Sequence, residues 1–312
     1  MKAIVLKDFG SADNLQIEEL PIPTIQDDEV LVKIKAISIN PIDAKTRSGK
    51  GLATRLKECS PIILGWDISG VTVEVGSSVS NFKKDDEVFG MINFPGHGKA
   101  YAEYAAAPAA HLAMKPKNIS FEQAAAATLA ALTAWQAIEA LQIKSGDKFL
   151  IHAASGGVGH FAVQIAKYLG AYVIGTSSAA NKDFILSLGA DEFADYKAQP
   201  LDEVISNVDK VLDTIGGDNI DLSLKLMKQG ATILSLPSGK SEQVQEKATA
   251  AGITGLHILV YSSGEDEKKL ADLMEHEIIK PYISKTFSFN QMKEAHLQIE
   301  SGRTTGKIIV TV

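Results

Sequence analysis

Cysteine is almost absent from this chain: Cys59 is the only one in 312 residues. One thiol excludes an intramolecular disulfide and any thiolate zinc cluster. Beside Pro61 it reads as a small apolar filler rather than a nucleophile, and a reducing cytoplasm is the expected setting. Long apolar runs are missing too. No window reaches the ~18 residues of a membrane span, and Met1–Gly10 lacks the pattern of a signal peptide. Positive charge is not in excess: 31 Lys and Arg stand against 38 Asp and Glu, for a net charge of −7. That balance argues against a nucleic-acid or anionic-membrane surface. There is no internal repeat, and no low-complexity segment beyond the alanines at 124–127, which suit a packed helix. What is present, 45% hydrophobic and 22% charged residues, is the composition of an ordinary globular protein. The length leaves room for two domains, each with its own core.

The pattern changes character along the chain. Lys2–Leu6, Glu29–Ile37, Gly70–Val75, Glu87–Met91 and Ala100–Ala106 read as short strands between Gly, Pro and Asp punctuation. From Ser120, which reads as an N-cap, Phe121–Leu141 is an alanine-rich helical stretch that Gly146 and Asp147 terminate. Strands then alternate with helices: Phe149–Ala153, Tyr172–Thr176, Glu192–Ala194, Lys210–Asp213, Thr232–Ser235 and His257–Tyr261. Six strands with right-handed crossovers predict a Rossmann-type, doubly wound parallel sheet in an α/β fold. After a helix around Glu265–Glu277, Ile283–Phe289 and Lys307–Thr311 revert to strands, split by the helix Asn290–Ser301. The expected organisation is a β-rich domain of residues 1–117 and 282–312, with a nucleotide-binding domain at 118–281.

Phe149–Lys167, FLIHAASGGVGHFAVQIAK, is the most informative stretch. A strand meets a tight turn and then an amphipathic helix. Ala154, Gly156 and Gly159 have the spacing of the dinucleotide fingerprint, with alanine where the first glycine usually stands. Gly156 lets the backbone approach a pyrophosphate, and Gly159 lets the helix pack on the strand. Ser155, Gly157 and Val158 complete the loop, and the first helical amides point at the anion. An NAD site places Asp or Glu about 20 residues beyond the glycines. Here no acidic residue lies between Gly159 and Lys182. Ser177, Ser178 and Lys182 can instead hold a 2′-phosphate, and Tyr196 can bring a phenol to it, so NADP(H) is favoured. The plainer reading is that Ser177, Ser178 and Asn181 cap a helix whose Lys182 is solvated, a role compatible with phosphate binding.

This arrangement resembles the medium-chain dehydrogenase/reductase superfamily across essentially the whole chain. The carrying motifs are Ala153–Gly159, Leu129–Trp135 (LAALTAW), Asp213–Gly217 (DTIGG) and Gly306–Val310 (GKIIV). The resemblance implies a GroES-like catalytic domain beside the Rossmann domain. Zinc alcohol dehydrogenases of the superfamily have a ligand cysteine near position 40 and Gly-His-Glu near 65. Here those places hold Asn40 and Gly65-Trp66-Asp67, which make no zinc site, and the structural-zinc lobe is missing. The seven histidines show no ligand spacing. Asn40-Pro41-Ile42-Asp43-Ala44-Lys45-Thr46-Arg47-Ser48-Gly49 is similar to the signature Asn-x-x-Asp-x-x-x-Arg-x-Gly of zinc-independent NADPH:quinone oxidoreductases and enone reductases. Lys45 stands where many quinone reductases have tyrosine, as in plant-type enone and alkenal reductases.

The resemblance implies hydride transfer from NADPH to a quinone or an α,β-unsaturated carbonyl. Conjugation spreads the developing charge, so hydrogen-bond donors can replace a Lewis acid. Lys45 is the candidate donor to the substrate oxygen, or a solvated lysine on a short helix. Asn40 is expected to orient the nicotinamide amide or the substrate, and Asp43 and Arg47 to pair at i,i+4. Trp66, Met91 and Phe94 line an apolar slot or belong to the core. By the same resemblance Thr133 lies near nicotinamide, Asp213, Leu236 and Ser238 end strands at the cofactor cleft, and His257–Tyr261 pairs with its mate in a homodimer. The competing reading is a non-enzymatic, crystallin-like or regulatory NADPH-binding protein.

Overall fold

Gly, Pro and Asp punctuation does break the start of the chain into short strands. The computed structural model describes residues 1–312. It opens with β1 (Lys2–Leu6), β2 (Leu15–Glu19), β3 (Glu29–Ile39), α1 (Pro41–Arg47), α2 (Ala53–Leu56), β4 (Asp67–Val75), β5 (Glu87–Met91), β6 (Tyr104–Pro108), β7 (Ala113–Met114) and α3 (Phe121–Ala126). Then come α4 (Leu129–Leu141), β8 (Lys148–Ile151), α5 (Gly157–Tyr168), β9 (Tyr172–Ser177), α6 (Lys182–Ser187), β10 (Glu192–Asp195), β11 (Val208–Asp213), α7 (Asp218–Leu226), β12 (Met227–Ser235), α8 (Val244–Ala250) and β13 (Thr254–Leu256). The chain closes with α9 (Gly264–Glu275), β14 (Ile283–Ser288), α10 (Met292–Glu300) and β15 (Lys307–Thr311). No helix is long and apolar enough to cross a membrane.

Two compact units result: Met1–Leu132 with Val260–Val312, and Thr133–Leu259. The division falls at 132/133 and 259/260 rather than at 117/118 and 281/282. Helix α3 stays with the first unit because its Phe121 carbonyl accepts the Ser69 hydroxyl of β4 at 2.6 Å. Helix α9 stays there because Glu267 accepts the Met91 amide of β5 at 3.2 Å.

In the first unit the sheet runs β14-β15-β3-β4-β5-β7, with β6 also paired to β3, and β1 and β2 form a separate ribbon. Strand register matters for the site. Ser38 of β3 lies opposite Asp67 of β4, and Ile39 lies opposite Ile308 of β15. The ends of three neighbouring strands therefore converge beside Asn40. The strand expected at Ala100–Ala106 is displaced to β6, because Tyr101 gives its carbonyl to the Ile4 amide at 2.8 Å instead of joining the sheet. The helix expected over Phe121–Leu141 is two helices. The buried Asp67 carboxylate takes the Leu129 amide at 3.1 Å and starts α4 afresh, a cap supplied from 62 residues away.

The second unit holds one six-stranded sheet in the order β10-β9-β8-β11-β12-β13, with every pair parallel. This is the expected doubly wound order. Leu150, Ile174, Val211 and Ile233 are fully buried, the continuous apolar run of a sheet covered on both faces. The sixth strand is Thr254–Leu256, not His257–Tyr261. Pairing to β12 ends at Leu256 opposite Leu234. The next residue, His257, bonds the Ser235 carbonyl through its ring at 2.8 Å rather than through its backbone.

Candidate functional site

Strand β8 leads into the turn that the fingerprint predicts. Ala153 takes a left-handed φ of 49°, a strained conformation for a residue with a Cβ. The Ala154 amide bonds the Thr176 carbonyl at 2.9 Å and the Gly156 amide bonds that of Ala153 at 2.8 Å. Gly156 is the N-cap of α5, so Gly157, Val158 and Gly159 supply first-turn amides without helical acceptors. A Cβ on Gly159 would stand 2.3 Å from the Ala153 oxygen, which is why this place needs glycine. Alanine is tolerated at 154 because its neighbour on β9 is Gly175, where a Cβ would come within 2.9 Å of the Ala154 methyl. The missing first glycine has moved to the adjacent strand.

The ends of β9 and β10 bring four predicted residues together. Ser155 and Ser177 share a hydroxyl hydrogen bond of 2.8 Å, and the Asn181 amide donates to Ser177 at 3.0 Å. The Tyr196 amide bonds the Ser177 carbonyl at 3.3 Å, and its ring is 54% exposed. Ser178 is half-buried and starts the 3-10 turn Ala179–Asn181 without a side-chain cap bond. Lys182, the first residue of α6, is exposed. The end of β9 itself carries no carboxylate, while Asp195, opposite Ser177 at the end of β10, accepts the Lys197 amide at 2.9 Å.

Asp213 is the last residue of β11, and its side chain is committed to the loop beyond the strand. Its carboxylate is fully buried and accepts from the Ile215 amide at 3.0 Å, the Gly216 amide at 3.1 Å, the Asn219 side chain at 2.8 Å and Ser235 at 2.7 Å. With its side-chain oxygens taken up inside the fold, Asp213 shapes the loop. Its carbonyl accepts the Leu236 amide at 2.9 Å, and Ser238 beyond it is exposed. Thr133 lies buried in α4. His152 is also buried, bonded to Thr176 at 3.2 Å and Ser223 at 3.0 Å. Burial pushes its pKa down to about 4, so it stays neutral.

In the first unit α1 begins at Asn40, with Pro41 at its first position. The Asn40 amide N–H donates to Asp43 Oδ2 at 2.6 Å. Its side chain, 1% exposed, faces inward and not toward a ligand. Nδ2 donates to Asp67 Oδ2 at 2.7 Å, and Oδ1 accepts from Lys307 Nζ. The expected contact of Asn40 with nicotinamide or substrate is therefore replaced by an internal one. Nor do Asp43 and Arg47 pair. Arg47 reaches Glu300, the Gly10 carbonyl at 2.5 Å and His296 Nδ1 at 3.2 Å.

A guanidinium only donates, so His296 Nδ1 accepts and its Nε2–H points to the Tyr101 hydroxyl, 3.0 Å away. Burial, then the Arg47 charge, lowers the His296 pKa to about 3. Burial, then the Asp67 charge, raises Asp43 to about 8, leaving a carboxylic acid at neutral pH. Glu267 is raised well above the usual range by the same two causes. Lys45 projects from this braced helix and is half-buried. Trp66 is fully buried, its Nε1–H on the Gly96 carbonyl at 2.8 Å and its ring edge-on to Phe94 at 5.3 Å. With Met91 and Phe94 buried as well, the apolar slot is core. An indole N–H donates and cannot ligate, and no group of three or more His, Cys, Asp or Glu could hold a metal.

Residues 26–117 match the alcohol dehydrogenase GroES-like domain, and residues 188–310 match the family described as zinc-binding dehydrogenase. A 2-methylene-furan-3-one reductase of Solanum lycopersicum is 36% identical over 99% of this chain and 79% of its own. The chain belongs to the medium-chain dehydrogenase/reductase superfamily. An NADPH-dependent alkenal/one oxidoreductase of Arabidopsis thaliana is 34% identical over the same shares. The solved quinone oxidoreductase from Coxiella burnetii superposes with a TM-score of 0.96 at 37% identity, covering 100% of this chain and 99% of that one. The first unit is thus this superfamily's GroES-like lobe and the second its Rossmann lobe. Sequence reading passed over Asp67, Tyr101, His296 and Lys307 as partners of α1's buried side chains and of one another. Only Lys307 left a trace, a charge beginning the otherwise apolar run Ile308–Val310.

Proposed function

We propose that this protein is an NADPH-dependent, zinc-independent reductase of quinones or α,β-unsaturated carbonyls. The observation that carries the reading is the carboxylate-free end of β9, where Ser177 bonds Ser155 of the glycine loop and the Tyr196 amide and is followed by Ser178 and the exposed Lys182. The chain fits the cofactor: a Cβ at 159 would fill the close packing that lets α5 aim its amides at a pyrophosphate. When bound, NADPH supplies the hydride for the electron-poor carbon. Gly157, Val158 and Gly159 hold the pyrophosphate, and Ser177, Ser178, Lys182 and Tyr196 hold the 2′-phosphate. Lys45 donates to the substrate oxygen as negative charge develops there, and Asn40 positions the helix that carries it.

Where zinc relatives have ligands this chain has Asn40 and Trp66, so no Lewis acid enters our reading. We further place the protein in the cytoplasm and pair two copies through the free edge of β13. Steady-state assays with NADPH and NADH against quinones and short enones test the function. Turnover with NADPH preferred is expected. No turnover on any of them, or one tightly bound zinc per untagged chain whose removal abolishes activity, overturns it.

A further inference from the structure

We propose that Lys307 is a positioning residue for Lys45, its buried ammonium fixing the start of α1 and so the place of the amine that the helix carries. The inference rests on the reading of Lys45 as donor to the substrate oxygen. Lys307 is the first residue of β15 and is 3% exposed. Its Nζ donates to Asn40 Oδ1, reaches the Ile39 carbonyl at 3.5 Å and stands 4.0 Å from Asp67 Oδ2. Those partners belong to the end of β3, the cap of α1 and the start of β4, so one ammonium ties three elements together.

The tie removes freedom at the helix entrance. Asn40 has Asp67 on its amide nitrogen and Lys307 on its amide oxygen, so the side chain cannot turn over without leaving both partners mismatched. Pro41 then locks φ at the first helical position, and Lys45 follows along the same helix from Pro41 to Arg47. The rest of β15 argues that the charge is there for place rather than for stability. Ile308, Ile309 and Val310 are each fully buried, so an apolar residue at 307 would extend the run and avoid desolvating an ion. A buried ion pair generally stabilises no better than apolar packing of the same size, and its best-attested use is to select one arrangement. Arg47, bonded to His296, Gly10 and Glu300, holds the far end of α1 in the same way.

The test is a double-mutant cycle on the full-length protein with Lys307→Met, Lys45→Met and the double variant. Lys307→Met should lower kcat on enones by about ten- to a hundredfold, the cost of misplacing a catalytic group by about 1 Å. The KM for NADPH should hold, and the double variant should lose no more than Lys45→Met alone. Multiplying losses would overturn the proposal. Lys307→Met leaves Asp67 unpaired, so Asp67→Asn/Lys307→Met is the companion that keeps the interior neutral. Asn40 can turn its oxygen to the new amide. The companion should recover thermal stability while kcat stays low, and recovery of kcat with stability would make Lys307 merely structural. Amine acetylation, mapped by mass spectrometry, reads position without turnover. The rate at Lys45, normalised to Lys182, should change in the Lys307 variants. An unchanged rate refutes the positioning role. A wild-type chain that reduces neither quinones nor enones would refute only the functional reading.

Discussion

Replacing Gly159 by alanine should damage both the fold and the cofactor site, by amounts that follow from one contact. The added Cβ would lie 2.3 Å from the Ala153 oxygen and 2.7 Å from Ala154 Cα. The first distance is 0.7 Å short of the 3.0 Å below which such contacts are essentially never seen. Both atoms are backbone of the turn, so neither can swing away as a flexible side chain would. Helix α5 must slide outward, and an overpacked contact of this kind costs about 1–3 kcal/mol of stability. The same slide lengthens amide-to-phosphate hydrogen bonds from about 2.9 Å to beyond 3.5 Å. Losing two bonds to a charged group, at about 1.5–3 kcal/mol each, weakens the nucleotide about a hundredfold or more. The loss should be equal for NADPH and NADH, because the pyrophosphate is common to both. Gly156→Ala is the contrast: φ is −77° and the nearest atom to its Cβ is 3.1 Å away. Its urea midpoint should fall much less than that of Gly159→Ala while the methyl blocks the approaching pyrophosphate. Nucleotide titration by fluorescence and urea unfolding measure both quantities. If Gly159→Ala binds NADPH as wild type does, the packing argument for this loop is wrong.

Other expectations follow from the same geometry. Lys182→Ala should weaken NADPH by at least about tenfold in titration while leaving NADH unchanged, since the lost bond to a charged group is worth about 1.5–3 kcal/mol only with the phosphate present; equal losses would remove Lys182 from the phosphate site. Lys45→Met should lower turnover on enones by about ten- to a thousandfold, with quinones less affected and NADPH affinity held, and full activity on every substrate would make Lys45 surface charge. Asp43 keeps its proton up to about pH 8 in the folded chain but loses it near 3.9 when unfolded. Its contribution to stability is therefore fully present below that unfolded value and declines as pH rises toward 8. Asp43→Asn should gain on wild type in urea midpoint between pH 5 and pH 8, and parallel curves at both pH values would show that Asp43 is not the titrating group.

How far the sequence could be read depended on the range of the interaction. The Rossmann lobe was legible because its signals are local: apolar runs, Gly156 and Gly159 at fixed spacing, and the acid-free interval before Lys182. Even there, the sixth strand shifted from His257–Tyr261 to Thr254–Leu256. No local residue marks where an edge strand stops pairing, and the decision falls to the His257 ring on Ser235. The alanine at 154 looked like a departure from the fingerprint. Its compensation, Gly175, is a neighbour in space and not in sequence.

In the GroES-like lobe the decisive contacts are long-range, and there the local rules pointed the wrong way. Asp43 and Arg47 have helical i,i+4 spacing, yet Asp43 caps its own helix while Arg47 crosses to His296 and Glu300, 249 and 253 residues on. Asn40 looked like a ligand-facing amide because it opens the signature motif. Its environment is set instead by Asp67, 27 residues away, and by Lys307, 267 residues away. Buried polar groups must find partners wherever the sheet register puts them, and register is a property of the folded sheet. The shared motif of Asn40, Asp43 and Arg47 is therefore best understood as scaffolding. Its three side chains face inward, two of them onto partners far along the chain, and together they hold the short helix that carries the half-buried Lys45, the amine our proposal assigns to the substrate oxygen.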